Sequence, residues 1–135
     1  MKPVLLTGVL ALALTFAAPV SASPLLDQYA QEAKTASPEF KGFAAARGQD
    51  LFSSRHTTGK PDTPSCTSCH SDNPLKAGLT RAGKAIEPMA ASASPQRYTD
   101  PSKVEKWFRR NCNSVLGRDC TAREKGDFIT FMLTQ

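Results

Sequence analysis

The sequence predicts an all-α protein. Apolar residues recur at helical spacing, capping residues precede the two C-terminal apolar segments, and no segment alternates apolar and polar residues as a half-buried strand would. A length of 135 residues favours a single domain. The helical segments lie on both sides of one short motif, Cys66-Thr67-Ser68-Cys69-His70.

Residues 1–22 have the composition of a secretory signal peptide. Lys2 provides a basic start, an apolar run extends from Val4 to Ala18, and small residues lead to Ala22. A membrane anchor is the less favoured alternative, because the apolar run is short for a bilayer span. We therefore expect cleavage after Ala22 and a periplasmic domain of residues 23–135 with no membrane span.

Two helices are expected before the motif. The first covers roughly 24–33 and has apolar residues on one side, at Leu25, Leu26, Tyr29 and Ala33. Pro38 separates it from a second helix, roughly 40–54. Gly48 lies inside this second helix, where glycine costs about 1 kcal/mol relative to alanine. Its presence indicates that another helix crosses closely at that point.

Residues 71–94 are rich in proline, glycine and small residues, and we expect short helical turns and loops there. A third helix begins with Asp100 as N-cap and Pro101 at the first helical position. It runs to about Leu116, and Gly117 is suited to end it.

The last helix begins with a capping-box pattern, Thr121 followed three residues later by Glu124. It presents Phe128, Phe131 and Met132 on one face and runs almost to the end of the sequence.

The motif at 66–70 is typical of covalent haem attachment. The thiols of Cys66 and Cys69 can add to the two vinyl groups of a porphyrin, and His70 then lies under the ring as proximal axial ligand. A zinc site would need two more ligands, and the other two cysteines, Cys112 and Cys120, are far along the chain. One covalently attached haem c is therefore the expected cofactor.

The charge balance is modestly basic, with seventeen Lys and Arg against twelve Asp and Glu. Such a balance can steer an acidic redox partner. The basic residues are too diffuse, and too poorly interleaved with aromatic residues, to indicate a nucleic-acid partner.

Several segments resemble known cytochromes. Residues 48–52 and 124–132 are similar to the N- and C-terminal helices of class I cytochromes c, which cross beside the haem. Residues 88–90, 97–112 and 117–121 resemble the sphaeroides haem protein (SHP) type of oxygen-binding cytochrome c, related to cytochrome c″. The resemblance implies the class I fold with an extra N-terminal helix. It also implies a redox partner cytochrome, either a dihaem cytochrome c or a membrane cytochrome b.

Asn111 is the candidate distal axial ligand. It falls in the middle of the apolar stripe of the third helix, seven residues after Val104 and four after Trp107. A buried amide without partners costs about 1–3 kcal/mol, so it should have a strong one. Backbone or a haem propionate is the alternative to iron, and the SHP resemblance favours iron. Cytochrome c″ has a histidine at this position.

The sequence offers few other candidates for the distal ligand. Met89 is the main rival, since thioether ligation is usual in electron carriers; with Trp107 it is otherwise expected to line the haem pocket. Met132 is expected in the core, and His56 and Asn113 in solvent.

Cys112 and Cys120 are expected to form a disulfide in an oxidising compartment. The bond would stabilise the fold by roughly 2–3 kcal/mol, either as a plain staple or by holding Asn111 near the iron.

These observations lead to three hypotheses. The first is a periplasmic monohaem cytochrome that transfers electrons and whose Asn111-ligated iron opens on reduction to bind O₂ or NO. The second is an ordinary electron carrier with His70 and Met89 as ligands. The third, a haem enzyme reducing oxygen species or nitric oxide, is the least favoured, because no acid–base pair is evident and no catalytic residue is assigned.

Overall fold

The computed structural model describes residues 23–135, so the expected signal peptide, residues 1–22, lies outside the described part. The elements in chain order are α1 (Pro24–Ala36), α2 (Ala45–Ser53), α3 (Thr67–His70), β1 (Gly78–Leu79), β2 (Ala85–Ile86), α4 (Pro101–Val115) and α5 (Ala122–Leu133). The predicted helical class is confirmed. Across residues 23–135, no helix is long and apolar enough to cross a membrane.

α2 and α5 cross at Gly48, as the sequence predicted. A Cβ atom at this position would overlap the carbonyl oxygen of Asp127 and lie 2.9 Å from Cβ of Phe131. The side chain of Asp127 accepts hydrogen bonds from the Arg47 guanidinium and from the Ala44 amide, each at 2.7 Å. The crossing is therefore fixed both by close backbone contact and by a buried carboxylate.

α2 begins at Ala45, later than the predicted start near residue 40. The chain before it is not helical, since Ala44 is extended with φ of −138° and Gly42 has a φ of +122°, in the region that favours glycine. The ring of Phe43 fills the space beside Gly126, where a Cβ would overlap it. Contacts with α5 thus determine where the helix begins, and they outweigh the local helical pattern.

α1 packs against α5 and is tied to α4 by a polar cluster. Tyr29 is fully buried, and its hydroxyl donates a hydrogen bond to Glu105 of α4. Lys125 of α5 donates to both oxygens of the same carboxylate, at 3.0 and 2.8 Å. The largest fully buried side chains within residues 23–135 are Tyr29, Phe52, Ile129 and Met132, so the expected core position of Met132 is confirmed.

The predicted starts of the last two helices are confirmed. The carboxylate of Asp100 accepts a hydrogen bond from the Lys103 amide at 3.1 Å. Thr121 and Glu124 form a complete capping box at the start of α5. Gly117, with φ of +70°, follows the end of α4.

The prediction of helical turns within residues 71–94 is wrong for its middle part. β1 and β2 pair antiparallel there, with Gly78 opposite Ile86 and Leu79 opposite Ala85. Strands of two residues are too short for an alternating pattern to reveal them.

Candidate functional site

The site begins with α3, a single helical turn that follows Cys66 as its N-cap and contains the rest of the cysteine motif. Ser65 precedes it, is 4% exposed and donates a hydrogen bond to the carbonyl of Phe52 at 3.2 Å. Within the turn, the His70 amide donates to the Cys66 carbonyl at 3.1 Å. α3 therefore holds Cys66, Cys69 and His70 on one short turn fastened to the end of α2.

Cys66 lies between two apolar clusters. It packs against the main core and also against the small cluster of Cys112, Val115, Leu116 and Cys120. Burial raises the pKa of its thiol to about 11, so the thiol is protonated at neutral pH. This contact brings the first motif cysteine next to the second half of α4.

His70 is half-buried and its imidazole is neutral. Burial, assisted by the charge of Arg97, lowers its pKa to about 4. Its Nδ1 has no hydrogen-bond partner, and among residues 23–135 it is the only buried side-chain nitrogen or oxygen in that condition. Two thiols at the attachment spacing and one neutral imidazole fit the donor set of haem c. Elsewhere in these residues, no group of three or more His, Cys, Asp or Glu is placed to hold a metal ion.

The β1–β2 ribbon closes one side of the motif. Gly78 is buried against it, because a Cβ there would overlap the Cys69 carbonyl oxygen and lie 2.8 Å from Cα of His70. Only a glycine lets the ribbon approach α3 this closely.

Met89 lies in the main core and is 7% exposed. Its amide donates to the Pro74 carbonyl at 2.9 Å, and its own carbonyl accepts from the Tyr98 hydroxyl at 2.8 Å. The backbone on both sides of this side chain is therefore held in place.

Asn111 is half-buried on α4, directly before Cys112 of the small cluster. Trp107, one turn earlier, is 45% exposed, and the guanidinium of Arg110 lies 5.2 Å from its ring centre. Asn113 is exposed as expected, and its amide donates to the carbonyl of Arg109 at 2.8 Å.

The expectation of a solvent-exposed His56 is wrong. The residue is half-buried, and its ring Nε2 lies 3.3 Å from the Leu51 carbonyl oxygen. Its amide donates to the Pro64 carbonyl at 2.6 Å, which brings the loop back towards the end of α2.

Cys112 and Cys120 form a disulfide bond, with their Cα atoms 5.6 Å apart. The bond joins the last turn of α4 to the residue before the N-cap of α5.

Comparisons with known proteins agree on one family. Residues 38–132 match the family described as a domain of unknown function, DUF1924. The chain is 57% identical over 91 residues to the cytochrome c-type protein SHP of Cereibacter sphaeroides, covering 67% of this chain and 70% of that protein. It is 35% identical over 129 residues to cytochrome c″ of Methylophilus methylotrophus, covering 95% of this chain and 90% of that protein. The chain belongs to this family of c-type cytochromes.

Solved structures of the same relatives confirm the fold of the cytochrome. Oxidised SHP, described as an oxygen-binding cytochrome c, superposes with a TM-score of 0.76 at 50% identity, over 82% of this chain and 94% of that one. Oxidised cytochrome c″ superposes with a TM-score of 0.71 at 34% identity, over 82% and 91% of the two chains. The class I all-α fold and one covalently attached haem c are thereby confirmed for this cytochrome.

Sequence reasoning missed one part of the cytochrome's site. Residues 58–63, for which the sequence predicts neither a helix nor a strand, contact the last turn of α4. Threonine and glycine in a polar loop give no signal of a distant partner, so this contact could be found only in the folded chain.

Proposed function

We propose that this cytochrome is a periplasmic monohaem electron carrier in which reduction opens a site for O₂ or NO. The observation that carries the proposal is the position of Asn111. It precedes Cys112 on α4, and Cys112 belongs to the cluster against which Cys66 packs. An amide is thus available on the helix that borders the haem attachment segment.

In this proposal Cys66 and Cys69 hold the haem, His70 is the proximal ligand and Asn111 the distal ligand. The bound haem iron supplies one-electron chemistry and a coordination position for a diatomic ligand. The amide oxygen of Asn111 is a hard, neutral donor, which suits ferric iron better than the softer ferrous ion. Reduction of the bound haem would therefore weaken its hold on Asn111.

Two relatives support this behaviour. SHP is an oxygen-binding cytochrome c, and the solution structure of cytochrome c″ concerns haem-ligand detachment. A distal ligand that leaves the iron is therefore in keeping with the family.

Met89 is less suited to the ligand role. Its side chain belongs to the main core and its backbone is held by Pro74 and Tyr98. Its thioether is thus already engaged in core packing, whereas Asn111 is half-buried.

We further propose that the exposed face of α4 binds an acidic redox cytochrome, with a dihaem cytochrome c as the partner class. This face has four exposed basic residues, Lys103, Lys106, Arg109 and Arg110. The one acidic residue of α4, Glu105, is already paired with Lys125. Charge of one sign steers an acidic partner and makes association sensitive to salt. We expect Lys103→Gln with Lys106→Gln to slow electron exchange at low salt and to change it little at high salt.

Location in the periplasm rests on residues 1–22. If they are a signal peptide, protein isolated from the periplasm begins at Ser23. Amino-terminal sequencing of that protein tests the assignment, and a retained Met1 would contradict it.

The distal ligand is tested by Asn111→Ala, with Asn113→Ala as a matched control on the same helix. The ferric visible spectrum should change with the first variant and stay as in the wild type with the second. The ferrous CO affinity should remain within about tenfold, which corresponds to 1.4 kcal/mol, because the amide has already been released.

Two further variants distinguish the gas-binding proposal from an ordinary electron carrier with His70 and Met89 as ligands. Asn111→His introduces a stronger donor for ferrous iron and should compete with added CO. Met89→Leu should leave both spectra nearly unchanged. If Met89→Leu removes the sixth ligand while Asn111→Ala is silent, the protein is a conventional carrier and the gas-binding proposal fails.

A further inference from the structure

The last turn of α4 is capped by residues 58–63, which lie shortly before the haem motif in sequence. The final carbonyls of a helix have no partner within it. Here the Ser114 carbonyl accepts from the Lys60 amide at 2.7 Å, and the Leu116 carbonyl accepts from the Thr58 hydroxyl at 2.8 Å. Backbone and side chain of one loop thus satisfy the end of the helix.

A pair of hydroxyl groups completes this contact. Oγ1 of Thr63 lies 2.8 Å from Oγ of Ser114 and 3.2 Å from the Ser114 carbonyl oxygen. Thr63 can therefore donate to the carbonyl while it accepts from the Ser114 hydroxyl. Both side chains are half-buried, which limits competition from water.

The loop of residues 58–63 and the end of α4 are closely packed. A Cβ at Gly59 would overlap the carbonyl oxygens of Ser114 and Val115, and one at Gly117 would overlap that of Thr58. Because loop and helix end meet backbone to backbone, a shift of one displaces the other.

We propose that Thr63 and Ser114 are positioning residues that keep Asn111 within reach of the iron. Thr63 stands three residues before Cys66, and Ser114 stands three residues, or one turn, after Asn111. The pair is thus a short link between the haem attachment segment and the distal ligand. The disulfide joins the same helix end to the residue before the N-cap of α5. Cys66 meets that disulfide cluster only by apolar packing, whereas Thr63 and Ser114 join the two segments by hydrogen bonds.

The physical reason is preorganisation. Forming the amide–iron bond costs conformational entropy, because the helix that carries Asn111 must be ordered. A helix that is already held in place loses less entropy, so the bond is stronger. This inference rests on the proposed ligation by Asn111. The effect of the pair should be confined to the ferric protein, because under the proposed function Asn111 would no longer be bound to the iron in the ferrous protein.

The test is Thr63→Val in the haem-loaded protein, which replaces a hydroxyl by a methyl group of similar shape. We expect azide affinity of the ferric protein to rise about threefold to tenfold, since azide competes with a less well-held amide. Ferrous CO affinity should not change. Ser114→Ala should act in the same direction, and provides a second variant should the first fail to fold. Thr130→Val is the matched control, because the Thr130 hydroxyl bonds only within α5, to Gly126.

Two measurements distinguish positioning from general loosening. In the Asn111→Ala background, Thr63→Val should leave azide affinity unchanged, because no distal amide remains to be positioned. Hydrogen exchange of the Lys60 amide should be faster in Thr63→Val than in the wild type, whereas exchange of the amides within α5 should not change.

Three results would contradict either the positioning role or the ligation by Asn111, and each result shows which of the two fails. Asn111→Ala raising azide affinity while Thr63→Val does nothing refutes the positioning role and leaves ligation intact. An equal rise from Thr63→Val with and without Asn111 also refutes positioning. A silent Asn111→Ala instead refutes the proposed ligation itself.

Discussion

Replacing Gly48 with valine should force α2 and α5 apart where they cross. The new Cβ would overlap the Asp127 carbonyl oxygen, and would lie 2.6 Å from the Asp127 carbonyl carbon and 2.9 Å from Cβ of Phe131. The first two obstacles are backbone atoms, which cannot rotate away as a flexible side chain can.

The expected cost is therefore near the upper end for an overpacked site, about 3 kcal/mol. Helix propensity acts in the opposite direction, since valine is a few tenths of a kcal/mol better than glycine in a helix interior. Crowding exceeds this gain several times over. For a domain of this size the melting temperature should fall by roughly 10–20 °C.

Thermal unfolding of the haem-loaded protein, followed by circular dichroism, measures the effect. Ala46→Val is the matched control, because Ala46 lies on the exposed side of the same helix and should cost only a few tenths of a kcal/mol. Equal melting temperatures for the two variants would show that the crossing does not require a glycine.

The remaining predictions concern the haem, a carboxylate and the disulfide. Cys66→Ala combined with Cys69→Ala should give protein without covalent haem by mass spectrometry, and haem surviving in that variant would contradict the attachment. Hydrogen bonds from the Arg118 guanidinium, together with its charge, lower the pKa of Glu124 to about 2. A depressed folded-state pKa stabilises the protein above the unfolded value near 4.5, and this contribution is lost as pH falls towards 2. Glu124→Gln should thus destabilise the protein by about 1–2 kcal/mol at pH 7, after allowance for solvent screening, and much less near pH 2 in urea unfolding. A stability difference between Glu124→Gln and the wild type that persisted at pH 2 would show that the ionised carboxylate is not its cause. Reduction of the Cys112–Cys120 bond should lower stability by roughly 2–3 kcal/mol, and two free thiols in unreduced protein isolated from the periplasm would refute the pairing.

The parts of the fold that the sequence predicted are those determined by local chemistry. Asp100 and Thr121 cap helices through hydrogen bonds that span only three residues, and such bonds are visible as short patterns. Gly48 was informative for a related reason, since an unfavourable residue inside a helix requires a compensating contact. In the same way the cysteine motif, as a contiguous pattern, predicted the cofactor.

The missed features depend on residues far apart in sequence. The start of α2 is determined by Ala44, whose partner Asp127 is 83 positions away. His56 became half-buried because its loop folds back on the end of α2. The pair of Thr63 and Ser114 spans 51 positions. Single-sequence periodicity carries no information about such pairs, so these features required the folded structure.

The crossing of α2 and α5 also bears on how the chain matures. Arg47 and Asp127 meet across 80 residues of sequence, and contacts so distant along the chain form slowly because a long loop must first close. Until α5 docks, nothing covers α2 at Gly48, and the segment with Cys66 that follows α2 lacks its finished surroundings. We expect this order of assembly to leave a period in which both thiols are accessible for haem attachment. A sequence that brought α5 next to α2 would close the core sooner and shorten that period.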